Sequence, residues 1–292
     1  MANLKEIRTR ITSVNSTMQI TSAMKMVSAS KLKRAQDAIT DMRPYAEKLQ
    51  EILGNLCESL ETSEGMYSAQ RDVDNVLLVA ITSNRGLCGG FNGNIIKECQ
   101  RLIKEEYADN NVHILTIGKK ANDLLKSKSI ETNQGDLPSD LEKVWESVNF
   151  ETVAPIAQTL MDAFAAKSYD KVILVYNKFK NAAVQEVTPE QLLPVLPPDA
   201  AENNAASDYI FEPNKEEIVA DLIPKSLKIQ LYKSILDSHA SEHGARMTAM
   251  HMATDNAGEL KKDLTLHYNK ARQAAITGEI LEIVGGAEAL KN

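Results

Sequence analysis

VLLVAITSNRGLCGGFNGNI, residues 76–95, decides how the middle of the chain is read. Its first six residues are apolar without alternation, the pattern of a strand covered on both faces. Four glycines follow, Gly86, Gly89, Gly90 and Gly93, and then a helical spacing of Ile95, Ile96, Cys99, Leu102 and Ile103. Strand, glycine-rich turn and helix in that order mark an α/β arrangement, and such turns often cradle phosphates. This turn lacks the residues that do so. A GxxxxGK[ST] loop needs Lys followed by Ser or Thr, and Gly86 is followed by LCGGFNGNI. A dinucleotide fingerprint needs GxGxxG and an acid at the end of the next strand. That spacing is absent, and the next strand ends ILTIGKK. The glycines are read as turning the chain sharply and seating the helix close to the sheet, with no direct nucleotide binding.

Further strand patterns cover residues 112–117 and 172–176, with a shorter edge candidate at 183–187. Helical patterns lie between them, at 94–107, 119–126 and 150–166. Strands alternating with helices predict a parallel or mixed sheet covered on both faces. LPVLPPDAAENNAAS, residues 193–207, reads as a connector.

The two ends carry a different pattern. From Leu4, steps of three and four visit seventeen positions up to Leu60, and fourteen are apolar. A seam at a period of about 3.5 over that length argues for a coiled coil, on the order of 85 Å long. The seam turns polar at Thr21, Lys25 and Ser28, and Pro44 is expected to kink it. From Met250, the same steps give Ala253, Ala257, Leu260, Leu264, His267, Ala271, Ala274, Gly278 and Leu281. This second helix is expected to begin soon after Pro213. The fold class is therefore α/β, with an antiparallel two-helix coiled coil at the ends and a Rossmann-like domain between. The expected divisions are 1–62 for the first helix, 73–212 for the α/β domain and 213–290 for the last helix.

Bulk composition narrows the function. A net charge of −7 argues against a general nucleic-acid binder. Three cysteines without CxxC spacing fit a reducing compartment rather than a disulfide framework. No apolar run reaches the roughly 18–20 residues of a membrane helix. The acid-free stretch from Ile7 to Arg34 imitates a presequence, yet its helical pattern does not stop where one would end.

HASEH, residues 239–243, matches the HxxEH zinc-protease pattern, but in a long charged helix it reads as a solvated face. Lys25, Lys31, Lys33 and Arg34 form a basic cluster suited to an acidic partner surface. Ile276, Ile280, Leu281, Ile283 and Val284 leave the final turns apolar nearly all round, so this tip is expected to insert into another protein. No metal, cofactor or catalytic constellation is expected. Residue patterns alone still leave open a nucleotide-using α/β enzyme and a self-associating coiled-coil scaffold.

MANLKEIRTRITSVNSTMQITSAMKMVSASKLKRAQ, RPYAE, SNRGLCGGFNGN, NKFKNA, QLLP and ARMTAMHMATDNAGELKKDLTLHYNKARQAAITGEILEIVGGAEAL together resemble the family of F-type ATP synthase gamma subunits. The resemblance implies a non-catalytic rotor shaft inside a ring of three alpha and three beta subunits, which hold the nucleotide sites. It implies a foot that meets the epsilon subunit and the membrane ring of c subunits. Met24, Lys25, Lys31, Lys33 and Arg34 then lie at the level of the beta subunits' acidic lever loops. Arg272 and Gln273 match positions bonded to beta loops higher up, and Arg246 joins that set. The tip residues resemble the end held in the bearing sleeve. The family often carries an acid where this chain has Lys25. The regulatory cysteine pair of the plant chloroplast version has no counterpart here. A bacterial protein, peripheral on the cytoplasmic side of the inner membrane, is the implied setting.

Overall fold

Helix α1, Leu4–Cys57, and helix α5, Lys215–Ala289, realise the two terminal seams. The computed structural model describes residues 4–57, 66–126, 132–133, 137–195 and 215–289. Both long helices continue through their prolines, Pro44 and Pro224. Between them run β1 (Asn75–Ile81), α2 (Phe91–Arg101), β2 (Asn111–Ile117), α3 (Lys119–Lys126), α4 (Phe150–Ala165), β3 (Lys171–Phe179) and β4 (Gln185–Leu193). The chain divides into two units, residues 29–246 and residues 1–28 with 247–292.

In the larger unit the strand order is β2-β1-β3-β4. β1 pairs parallel with β2 and β3, and β4 closes the edge antiparallel to β3. The apolar run of β1 is explained by its neighbours. Leu77, Val79 and Ile81 face Val153, Leu160 and Phe164 of α4 and Leu227, Leu231 and Ile235 of α5. Val76, Leu78 and Ala80 face Phe91, Ile95 and Cys99 of α2 and Ala121 and Leu125 of α3. Helix α5 is thus, over residues 223–235, a covering helix of the sheet. Asn149 starts α4 by accepting the Thr152 backbone N–H at 2.9 Å, a capping box that ends the preceding loop.

β4 is longer than the 183–187 expected from sequence. Gln191 and Leu193, the latter assigned above to the connector, pair with Ile173 and Val172 at the start of β3, and Leu192 is the extra residue of a bulge between them. Pro189 disguised the strand, and an edge position tolerates its missing N–H. Of the expected connector, residues 196–207 lie outside the described residues.

In the smaller unit the two helices run antiparallel. Thr254 bonds Thr21 at 2.8 Å, and Lys261 bonds Asn15 at 2.8 Å. The α1 seam faces inward as expected, with Ile7, Thr21 and Ser28 buried and Ile11, Val14 and Met18 half-buried. The α5 seam departs from expectation. Met250 and Ala257 are buried, but Leu260 is 50% exposed and His267, Ala274 and Leu281 are exposed. Their inward places are taken by Lys261, Tyr268 and Ala275.

One glycine is required by geometry. Gly118, just after β2, has φ +108, and a Cβ there would lie 2.0 Å from the Thr82 carbonyl oxygen. Gly86 meets nothing within 4 Å. Gly118→Ala is expected to cost roughly 1–3 kcal/mol or more, from backbone strain plus the overlap. Gly86→Ala should stay within about 0.5 kcal/mol of the parent. Urea titration of the two variants checks the difference.

Candidate functional site

The order β2-β1-β3 reverses direction at β1, and the crevice beyond the carboxyl ends of β1 and β3 is where open α/β sheets bind ligands. Here the glycine-rich turn forms one wall. Thr82 and Ser83 are buried at its start. The Thr82 hydroxyl accepts the Ala121 N–H at 2.9 Å, and the Asn84 carbonyl oxygen accepts the Lys119 N–H at 3.1 Å. Side chains of the turn therefore occupy the amides at the start of α3. The Asn92 side chain accepts the Ser83 N–H at 3.0 Å and donates to the Ser83 hydroxyl at 2.8 Å and to the Cys88 sulfur at 3.2 Å. Burial pushes the Cys88 thiol up from its ordinary value, and Cys99 rises to about 12 for the same reason. Both stay protonated at neutral pH and behave as packing residues.

Helix α5 supplies the other wall. Arg246, 8% exposed, donates to the carbonyl oxygens of Gly86 and Arg85 and to the Glu242 carboxylate one turn back. Burial pushes the Glu242 carboxyl up, and the Arg246 guanidinium opposes that shift. The Ser241 hydroxyl donates to the Asn177 carbonyl at 2.9 Å, and the Asn177 amide donates to the Phe91 carbonyl at 3.3 Å. Gly244 lets the helix approach closely, since a Cβ there would sit 3.3 Å from the Ala182 Cα. Helix α5 is thus bonded to the glycine-rich turn and to β3 along this crevice.

The HASEH stretch is a correction to the sequence reading. Glu242 and His243 are buried, and His239 is half-buried, so this is no solvated face. The His239 and His243 Nε2 atoms lie 3.1 Å apart, and the Trp145 ring packs 5.6 Å from that of His239. Burial lowers His239 to about 4, with Lys31 adding to the effect. Burial, then the His239 charge, lowers His243 to about 3. Glu242 is committed to Arg246 and is not available as a metalloprotease base. Among the described residues no three His, Cys, Asp or Glu are grouped to hold a metal.

The residues expected to meet partners fall in both units. In the smaller unit Met24 and Lys25 are half-buried, while Arg272 and Gln273 are exposed. The tip residues Ile276, Ile280, Leu281, Ile283 and Val284 are exposed by 47–72%. In the larger unit Lys31, Lys33 and Arg34 are exposed, and Lys33 pairs with Asp37 at 2.8 Å. Arg246 stands apart from all of these, since its guanidinium is spent on the turn. Met26 and Val27, which sit off the seam as expected from the sequence, are more than half exposed, and so are Ile20, Met252 and Leu266, which the sequence reading did not single out. The signal of these last three was present, because all are apolar and none falls on a seam step.

The family model described as ATP synthase matches residues 3–290. The ATP synthase gamma chain of Flavobacterium johnsoniae is 62% identical over 292 residues, covering 99% of both chains. This chain belongs to the ATP synthase gamma chain family. The gamma chain of Geotalea daltonii is 46% identical over 292 residues and the full length of both. The fold recurs in a central stalk chain of the Tetrahymena thermophila mitochondrial ATP synthase, with TM-score 0.57 and 29% identity. That match covers 80% of this chain and 99% of the other. A rotor chain of the Euglena gracilis enzyme matches with TM-score 0.63 at 20% identity, covering 94% and 98%, which speaks to fold alone.

The buried histidines make stability depend on pH. Their folded values lie below the ordinary 6.5, so they favour the fold above that pH and penalise it as pH falls. Asp237, raised by burial to about 6, acts in the opposite sense over the same range. The two histidines alone cost roughly 3 kcal/mol between pH 6.5 and 5, and the raised carboxyls of Asp237 and Glu242 offset part of that. Urea titrations across that range should show a net fall. In His239→Gln/His243→Gln it should vanish or reverse, leaving the contributions of the two carboxyls.

Proposed function

We propose that this chain is the central rotor stalk of an F-type ATP synthase, coupling ion flow through a membrane c ring to ATP synthesis and hydrolysis. The observation that carries the reading is the end of α5, exposed and apolar on several sides beyond Gln273, on a chain of the gamma family. An apolar helix end of this kind is stable only when enclosed, and a ring of three alpha and three beta subunits is the enclosure. The seamed pair of helices is the shaft, and the sheet domain is the foot that meets epsilon and the c ring. In this reading residues 1–62 and 213–290 supply the two shaft helices and 73–212 the foot.

The chain itself has no catalytic role in this reading. Support comes from the crevice, whose polar groups are taken up by Arg246, Ser241 and Asn177. The shaft acts by presenting a different face to each beta subunit, so that nucleotide affinity differs around the ring. Met24, Lys25, Lys31, Lys33 and Arg34 meet acidic beta loops, and Arg272 and Gln273 bond beta loops nearer the tip. Arg246 belongs to this set only through the turn it holds. No described helix is long and apolar enough to cross a membrane. Attachment is peripheral, on the cytoplasmic side of a bacterial inner membrane, as the family setting implies.

Reconstitution tests the reading. Alpha and beta subunits mixed with this chain should form a ring carrying one copy of it, with steady ATP hydrolysis. The reading fails if no complex forms while the lone chain binds nucleotide. A second measurement addresses the basic cluster. Lys25→Glu places a like charge against an acidic loop, at a cost of at least about 1 kcal/mol. Proton pumping per ATP hydrolysed should fall roughly fivefold in reconstituted vesicles, with unchanged helicity.

A further inference from the structure

In the smaller unit, α5 faces α1 with a less apolar set of residues than it has available. Met250, Ala257, Leu264, Ala271 and Gly278 are buried or half-buried in either phase of the seam. The second inward set is the one that differs. Steps of three then four would turn Leu260, His267, Ala274 and Leu281 inward. The structure instead turns Thr254, Lys261, Tyr268 and Ala275 inward and leaves Leu260 50% exposed. A groove of about 260 Å3 remains beside it, lined by Thr9, Arg10, Ser13, Val14, Leu260 and Leu264. Apolar burial alone favours the phase that sinks Leu260 and closes this groove.

Two bonds between the helices oppose that preference. Thr254 Oγ1 bonds Thr21 Oγ1 at 2.8 Å, and Lys261 Nζ donates to Asn15 Oδ1 at 2.8 Å. The Thr254 hydroxyl donates its one proton to the Met250 carbonyl at 2.7 Å, which leaves its oxygen to accept from the Thr21 hydroxyl. All four side chains are half-buried or buried. In the other phase each would have to recover its partner from water at the helix edge.

We propose that Thr21–Thr254 and Asn15–Lys261 set the rotational phase of α5 against α1, and so select which face of the coil is presented outward. A polar residue placed in a coiled-coil seam fixes an arrangement at the expense of stability. Here the variable is rotation rather than partner number. The two phases differ by about 50° of helix rotation. Arg272, Gln273 and the exposed apolar residues of α5 swing by that angle. Under the rotor reading proposed above, this swing decides whether those side chains meet the ring, but the phase itself is a property of the chain alone.

Cross-linking in the full-length chain tests it, with Cys57→Ala as background because Cys88 and Cys99 are buried. In the antiparallel order fixed by the two bonds, Ile7 falls level with Tyr268. Ile7→Cys is combined with Tyr268→Cys for the observed phase and with His267→Cys for the other. Net of the opposing burial of Leu260, the two bonds should leave the 7/268 disulfide roughly several-fold in excess of 7/267. Adding Thr21→Ala, Thr254→Ala, Asn15→Ala and Lys261→Ala, which removes both bonds without placing apolar bulk in the observed seam, should bring the ratio to one or invert it, with helicity by circular dichroism retained. An unchanged ratio in the helical variant overturns the proposal, as does an absence of preference in the native seam. Should the fourfold variant lose helicity, Thr21→Ala/Thr254→Ala is read by the same ratio, where no shift likewise overturns it. No partner subunit is needed, so failure here is separate from failure of reconstitution.

Discussion

A guanidinium carries its charge at any accessible pH, so burying one obliges the fold to surround it with acceptors. Arg246 is that group, and its acceptors are Glu242 on its own helix and the carbonyls of Arg85 and Gly86 after β1. Removing the Glu242 carboxylate would leave the buried guanidinium with only the two carbonyls to offset its charge. The arrangement pins α5 to the glycine-rich turn at the crevice where an α/β sheet otherwise receives a ligand. The same helix, between Ile223 and Ile235, covers one face of the sheet. Much of the larger unit follows from the need to hold this one helix.

That demand explains the composition of α5 over this stretch. Ser234, Asp237, Ser238, Ser241, Glu242, His243 and Arg246 are all buried, an unusual density of polar groups for the inside of a fold. Most find partners on the sheet or within the helix. Two atoms do not: among the described residues of this stretch Ser238 Oγ and His243 Nδ1 are buried without a hydrogen bond. The histidine pair stays neutral because burial outweighs its attraction for a proton. Polar burial of this kind contributes little net stability, but it disfavours any other docking of the helix, since wrong neighbours leave several groups unpaired at once.

Beyond Arg246 the constraint on α5 changes character. In the smaller unit a narrow seam holds it, with small residues at Ala257, Ala271 and Gly278 and polar cross-bonds at Thr254 and Lys261. One stiff element therefore carries a dense polar lock in one unit and a sparse seam in the other. The apolar residues left outward, from Met252 to Val284, suit enclosure by subunits of a larger complex rather than by this chain.

Much of this was legible in the order of residues. Both helical seams follow from apolar spacing, and β1, β2 and β3 follow from uninterrupted apolar runs between turn residues, because burial on two faces leaves no room for alternation. The mismatch of the glycine-rich turn with phosphate-binding patterns was legible too, since those patterns demand particular residues. Extents and partners were not. Pro189 hid the length of β4, because only an edge position excuses its missing N–H. HASEH read as a solvated face, because a charged stretch looks the same whether its partners are water or a buried Arg246. The phase of α5 misled for a related reason. A hydropathy step ranks Leu260 above Lys261, and only the Asn15 side chain across the seam reverses that order. Local spacing determined which segments became helix and strand, since periodicity is a property of neighbours along the chain. Tertiary structure alone decided which polar groups were buried, since a hydrogen bond to Gly86 or Asn15 depends on residues far away in sequence.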